Sequence, residues 1–119
     1  MSQQPELFGI PNCDSVKRAR SWLSSNDVDY TFRDLKKEVV NREALNAWID
    51  EHGWEKVLNK RGTTFRKLPD SEKQNLDREK AATLLMAHPS MVKRPILVIG
   101  ERTLIGFDET AYSEALHDL

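Results

Sequence analysis

The chain of 119 residues has a single cysteine, Cys13, which excludes an internal disulfide, fits a reducing compartment and leaves one free thiol to explain. It also lacks an excess of either charge. With 18 Lys plus Arg against 19 Asp plus Glu, the formal net charge is −1, so no global field draws it to nucleic acid or to an anionic membrane. No apolar run approaches the roughly 18 residues of a membrane span. The polar start Met1-Ser2-Gln3-Gln4-Pro5 lacks the apolar core of a signal peptide, so a cytoplasmic protein is expected. There is no Gly-rich phosphate loop. The histidines His52, His88 and His117 fall singly at expected helix ends, and no Cys, His or acidic spacing makes a metal site. Internal repeats, low-complexity tracts and linkers are missing too, and the length suits one domain over residues 1–119.

What is present, 39% hydrophobic and 31% charged residues, is a globular composition with clear patterning. Glu6 to Ile10 reads as a strand and Pro11 to Asp14 as the loop leaving it. From Ser15 to Ser25, Val16, Ala19, Trp22 and Leu23 share one helical face while Lys17, Arg18, Arg20 and Ser21 stay outside. Asp29 to Asp34 alternates as a second strand, which makes a β-α-β unit of parallel neighbours. Asn41 should cap a helix ending at His52 and Gly53, and Asp77 should open another reaching Ala87. Short helical pieces lie between them, so a helical insertion spans about 41–89. Pro95 to Ile99 and Thr103 to Gly106 form a hairpin, and Asp108 caps a last helix with Ala111, Tyr112, Ala115 and Leu116 inside. The order is β-α-β, helices, then β-β-α.

Position turns attention to Cys13. A helix N-terminus offers unpaired N–H groups and a partial positive charge, which favour a thiolate, and the thiolate is the nucleophile. Asp14 or Ser15 could cap the helix, with Lys17 and Arg18 one turn on, although the adjacent acid of Asp14 works against the thiolate. Ile10 stands three residues before Cys13 and Val16 three after, so neither Cys-x-x-Cys pattern exists. A lone thiolate that attacks a disulfide or an oxyanion stays bonded until a second thiol resolves the adduct, and here that thiol must come from outside, from glutathione or a glutaredoxin-type protein.

Two basic features accompany it. Arg94-Pro95 opens a strand, where a cis peptide can persist, and a guanidinium there has the planar fork that suits a carboxylate or oxyanion. The segment Asn59-Lys60-Arg61-Gly62-Thr63-Thr64-Phe65-Arg66-Lys67 gathers four basic residues in an expected loop, and a single aromatic makes it a weak nucleic-acid signal.

Gly9-Ile10-Pro11-Asn12-Cys13-Asp14, Leu58 to Leu68, and His88-Pro89 with Lys93-Arg94-Pro95-Ile96 together resemble the arsenate reductase family ArsC, most closely its YffB-like branch, with the Spx regulators as relatives. The likeness covers essentially the whole chain. It implies an α/β, thioredoxin-like (glutaredoxin-like) fold with a mixed four-stranded sheet and a helical insertion. It also implies a catalytic pair of Cys13 as nucleophile and Arg94 as oxyanion ligand. Lys60 or its neighbour Arg61 would line the site, and Asn12 and Pro95 would complete a binding surface for glutathione. Two departures qualify it. Where arsenate reductases carry a further arginine after the fourth strand, this chain reads Gly106-Phe107-Asp108, which moves the expected substrate away from arsenate. Ile10 replaces the first cysteine of the Spx disulfide switch. The resulting expectation is a monomeric bacterial oxidoreductase with no tightly bound cofactor. It would act on a small anionic or disulfide substrate, with glutathione or glutaredoxin as thiol donor and no nucleic-acid or membrane partner. The alternative is a non-catalytic, Spx-like module that binds RNA polymerase.

Overall fold

The computed structural model describes residues 4–38 and 40–117, which fall into two compact units. The first joins the N-terminal segment through Leu35 to the segment from Arg94 onward, and the second is Lys36–Lys93.

In the first unit, strands β1 (Glu6–Gly9), β2 (Thr31–Asp34), β3 (Ile96–Ile99) and β4 (Arg102–Ile105) form one sheet in the order β2-β1-β3-β4. Strand β1 runs parallel to β2 and antiparallel to β3, and β3 pairs antiparallel with β4. This mixed sheet with helices α1 (Asp14–Ser25) and α7 (Glu109–Leu116) is the thioredoxin-like α/β fold that the family resemblance implies, with its elements in the order read from the sequence. The β1-α1-β2 crossover supplies the parallel pair, because parallel neighbours need a long connection, whereas the two-residue turn Gly100-Glu101 suffices for the antiparallel β3-β4 hairpin. Arg102, expected in that turn, is paired with Ile99 as the first residue of β4.

The core of this unit is Leu7, Ala19, Leu23, Leu97 and Tyr112, all fully buried. Tyr112 is held edge-on by Trp22 (centroids 5.7 Å apart, 86°) and Phe107 (5.1 Å, 89°), the geometry that opposes a ring's positive edge to its neighbour's negative face. Its hydroxyl is buried without a hydrogen-bond partner, and burial pushes the phenol pKa upward.

The second unit is helical: α2 (Arg42–His52), the single turns α3 (Trp54–Val57), α4 (Thr63–Arg66) and α5 (Asp70–Lys73), α6 (Arg78–Ala87) and a 3-10 turn, Pro89–Met91. Asn41 caps α2 by accepting from Ala44 N at 2.7 Å, and Asp77 caps α6 by accepting from Lys80 N at 2.8 Å, as their sequence positions predict. Gly53 ends α2 with φ +89°, a backbone conformation that L side chains rarely adopt. Leu45, Trp48, Ile49, Val57, Leu84 and Leu85 are buried where α2, α3 and α6 meet. No helix among the described residues is long and apolar enough to cross a membrane.

Candidate active site

The junction after β1 is built by sterics before any chemistry. Gly9 ends the strand against Val16 of α1: a Cβ at this position would lie 2.6 Å from a Val16 methyl that is itself fully buried. The missing side chain lets the helix start close to the strand end. Pro11 and Asn12 make the exposed turn, closed by Cys13 N donating to Ile10 O at 3.2 Å.

Cys13 is itself the N-cap of α1. Its backbone is extended (φ −103°, ψ 127°), its carbonyl accepts Lys17 N at 2.9 Å as the first helical bond, and no side chain caps the helix. This corrects the expectation that Asp14 or Ser15 caps: with the Cys13 carbonyl already bonded to Lys17, both residues lie inside the first turn. The free thiol is half-buried, at the end of α1 where amide N–H groups are left unpaired.

Sheet register brings Arg94 and Pro95 to the same end. Phe8 pairs with Ile96 in antiparallel sense, so the chain entering β3 passes the place where the chain leaves β1. The Arg94-Pro95 peptide bond is cis, Arg94 is half-buried, and Pro95 is fully buried with its carbonyl accepting Gly106 N at 2.8 Å. That bond draws Gly106, and with it Phe107 and Asp108, to this end as well. The segment is expected to end the second hairpin strand at Gly106, to lack the family's further arginine and to cap the last helix at Asp108; the strand instead stops at Ile105. The antiparallel sense of β4 was the available signal for its position, since Ile105 must face Ile96. Asn12, Cys13, Arg94 and Pro95 therefore gather at one sheet end.

Lys60 and Arg61 belong to the second unit, where both are exposed in the turn before α4. Arg61 N donates to Asn59 Oδ1 at 3.1 Å, and the Lys60 ammonium lies 5.6 Å from the Trp54 ring centroid. The basic segment is not the plain loop expected. Phe65 is buried, and pulling that ring inward winds Thr63–Arg66 into a helical turn. Thr64 Oγ1 meets Ser90 Oγ at 2.9 Å beside it. Among the described residues no group of three or more His, Cys, Asp or Glu side chains is placed to hold a metal ion.

The family model for ArsC matches residues 8–115. The chain belongs to the ArsC family. Among solved ArsC-like structures, one named YFFB protein is 51% identical, superposes with a TM-score of 0.91, and the match covers 94% of this chain and 98% of that one. An arsenate reductase (ArsC) related protein from Brucella melitensis is 43% identical with a TM-score of 0.75, covering 100% of this chain and 98% of its own. The Global transcriptional regulator Spx of Enterococcus faecalis is 30% identical over 105 residues, 87% of this chain and 79% of that regulator. ArsC membership thus spans reductase-related and regulator-related likenesses.

Proposed function

We propose that this ArsC-family chain is a glutathione-dependent thiol-disulfide reductase working through Cys13. The observation that carries the reading is the position of that thiol: the N-cap of α1, half-exposed, at the sheet end where Arg94-Pro95 enters β3. The start of a helix presents unpaired amide N–H groups, donors of the kind that hold a reacting oxyanion.

In the proposed cycle the Cys13 thiolate attacks one sulfur of a substrate disulfide R–S–S–R′. A Cys13–S–S–R mixed disulfide forms, the substrate S–S bond breaks, and R′–S⁻ leaves with the electron pair. Glutathione thiolate then attacks the R sulfur of the adduct, forming the mixed disulfide of glutathione with R and returning Cys13 as thiolate. A second glutathione thiolate attacks the glutathione sulfur of that mixed disulfide, releasing R–S⁻ and leaving oxidised glutathione. The substrate disulfide thus gains two electrons from the oxidation of two glutathione thiols to one disulfide. Arg94, a rigid fork of donors, orients a carboxylate or other anionic group of substrate or glutathione.

The test is intact mass after incubation with oxidised glutathione. One glutathione should add to the chain, be lost on reduction, and fail to add to Cys13→Ser. An unmodified wild-type chain would sink the reading and leave the regulatory alternative, a module that binds RNA polymerase. The Spx likeness is the observation that favours this second reading.

A further inference from the structure

Within the first unit a cleft of about 840 Å³ runs between α1 and the start of α7, within the size range of small-ligand sites. Its walls are opposite in charge. Lys17 and Arg18 stand on the α1 side, Asp108 and Glu109 on the other, and Trp22 and Phe107 lie between them. Such neighbours would ordinarily neutralise each other, yet among the described residues no ion pair joins the two walls. Among the described residues Lys17 and Glu109 make no side-chain bond. Arg18 does no more than lie 5.9 Å from the Phe107 ring centroid, while Asp108 accepts Thr110 N at 3.1 Å. The aromatic pair is fixed from beneath, since Trp22 and Phe107 both pack edge-on against buried Tyr112.

A ligand that complements this surface carries an anionic group for Lys17 and Arg18, a cationic group for Glu109 and Asp108, and an apolar body for the two rings. We propose that the cleft binds a short zwitterionic peptide, its carboxylate toward α1 and its ammonium toward the start of α7. A dipeptide carries both charges on one short body, its ends about 7 Å apart when extended and too far to satisfy each other. A bound side chain would cover the Trp22 and Phe107 rings, where aromatic or aliphatic contact adds to the charge pairing. This site does not use the thiol, so its failure and that of the reductase reading are independent.

The experiment is a titration of the full chain carrying Cys13→Ser with glycyl-phenylalanine, followed by amide and indole NMR signals. Saturable shifts are expected at the Trp22 indole and at residues 107–110, with the Trp48 and Trp54 indoles unmoved. N-acetylation or C-amidation of the peptide should each weaken binding at least fivefold. Glu109→Gln should weaken the free peptide about as much as acetylation does and leave the acetylated peptide unaffected. Lys17→Gln should act likewise on the carboxylate end. Absence of saturable shifts at millimolar peptide, equal binding of the capped peptides, or shifts centred on Trp48 or Trp54 would each overturn the proposal.

Discussion

Cys13 shows how little a residue's identity says without its neighbours. A lone cysteine is ordinarily a small buried hydrophobe, and here the extended backbone of an N-cap and a Pro11-Asn12 turn keep the thiol partly in solvent. Arg94 is the second residue on which the reading depends. Replacing it with alanine should slow mixed-disulfide formation with oxidised glutathione by on the order of tenfold, the loss of one charge-assisted contact. The circular-dichroism melting curve should keep its cooperative shape. A variant that reacts as fast as the parent would remove Arg94 from the site.

At the level of elements, the strand-to-helix junction is the feature under steric pressure. Gly9→Ala would drive a methyl group into Val16, and because Val16 is β-branched and fully buried it cannot swing aside. The expected cost is about 1–3 kcal/mol, the range for overpacking a dense core, measured by urea unfolding. The start of α1 should shift with it, so the Cys13 reaction rate should change as well. A substitution that unfolds at the same urea concentration as the parent would show that the junction has room. Helix starts were legible in the sequence wherever a side chain caps, as at Asn41, Asp77 and Asp108. The start of α1 was not, because its cap is backbone alone and leaves no residue signature. The same limit hid α4, whose turn is wound by burial of Phe65 within an otherwise polar run.

For the molecule as a whole, Tyr112 links the core of the first unit to solution conditions. Burial raises its phenol pKa above the ordinary value near 10, so the folded state holds the proton more tightly than the unfolded state. The contribution is fully present below about pH 10 and is lost as pH rises toward the folded value, because there the unfolded chain binds fewer protons. Stability should therefore fall more steeply with alkaline pH in the parent than in Tyr112→Phe. At neutral pH the phenylalanine variant should be more stable by about 1 kcal/mol, since it removes a buried hydroxyl that lacks a partner. Parallel alkaline unfolding curves for the two proteins, recorded by fluorescence, would contradict that account. Tyr112 also packs against Trp22 and Phe107, so the same variant tests whether the cleft floor tolerates a change beneath it.

By itself the sequence determined the element order, the two faces of α1, the side-chain caps and the single thiol, since each is fixed by local spacing or by counting. The ArsC likeness was also legible, because three short motifs occur in order along the chain. Tertiary structure decided the rest. Strand order and register carried Arg94, Pro95 and Gly106 to the end of the sheet that holds Cys13, though 80 residues of chain lie between Cys13 and Arg94. Cross-strand hydrogen bonds, not sequence proximity, fix that neighbourhood. The opposed charges of Lys17, Arg18, Asp108 and Glu109 became a cleft by the same cause, as two segments distant along the chain came to share a floor of packed rings.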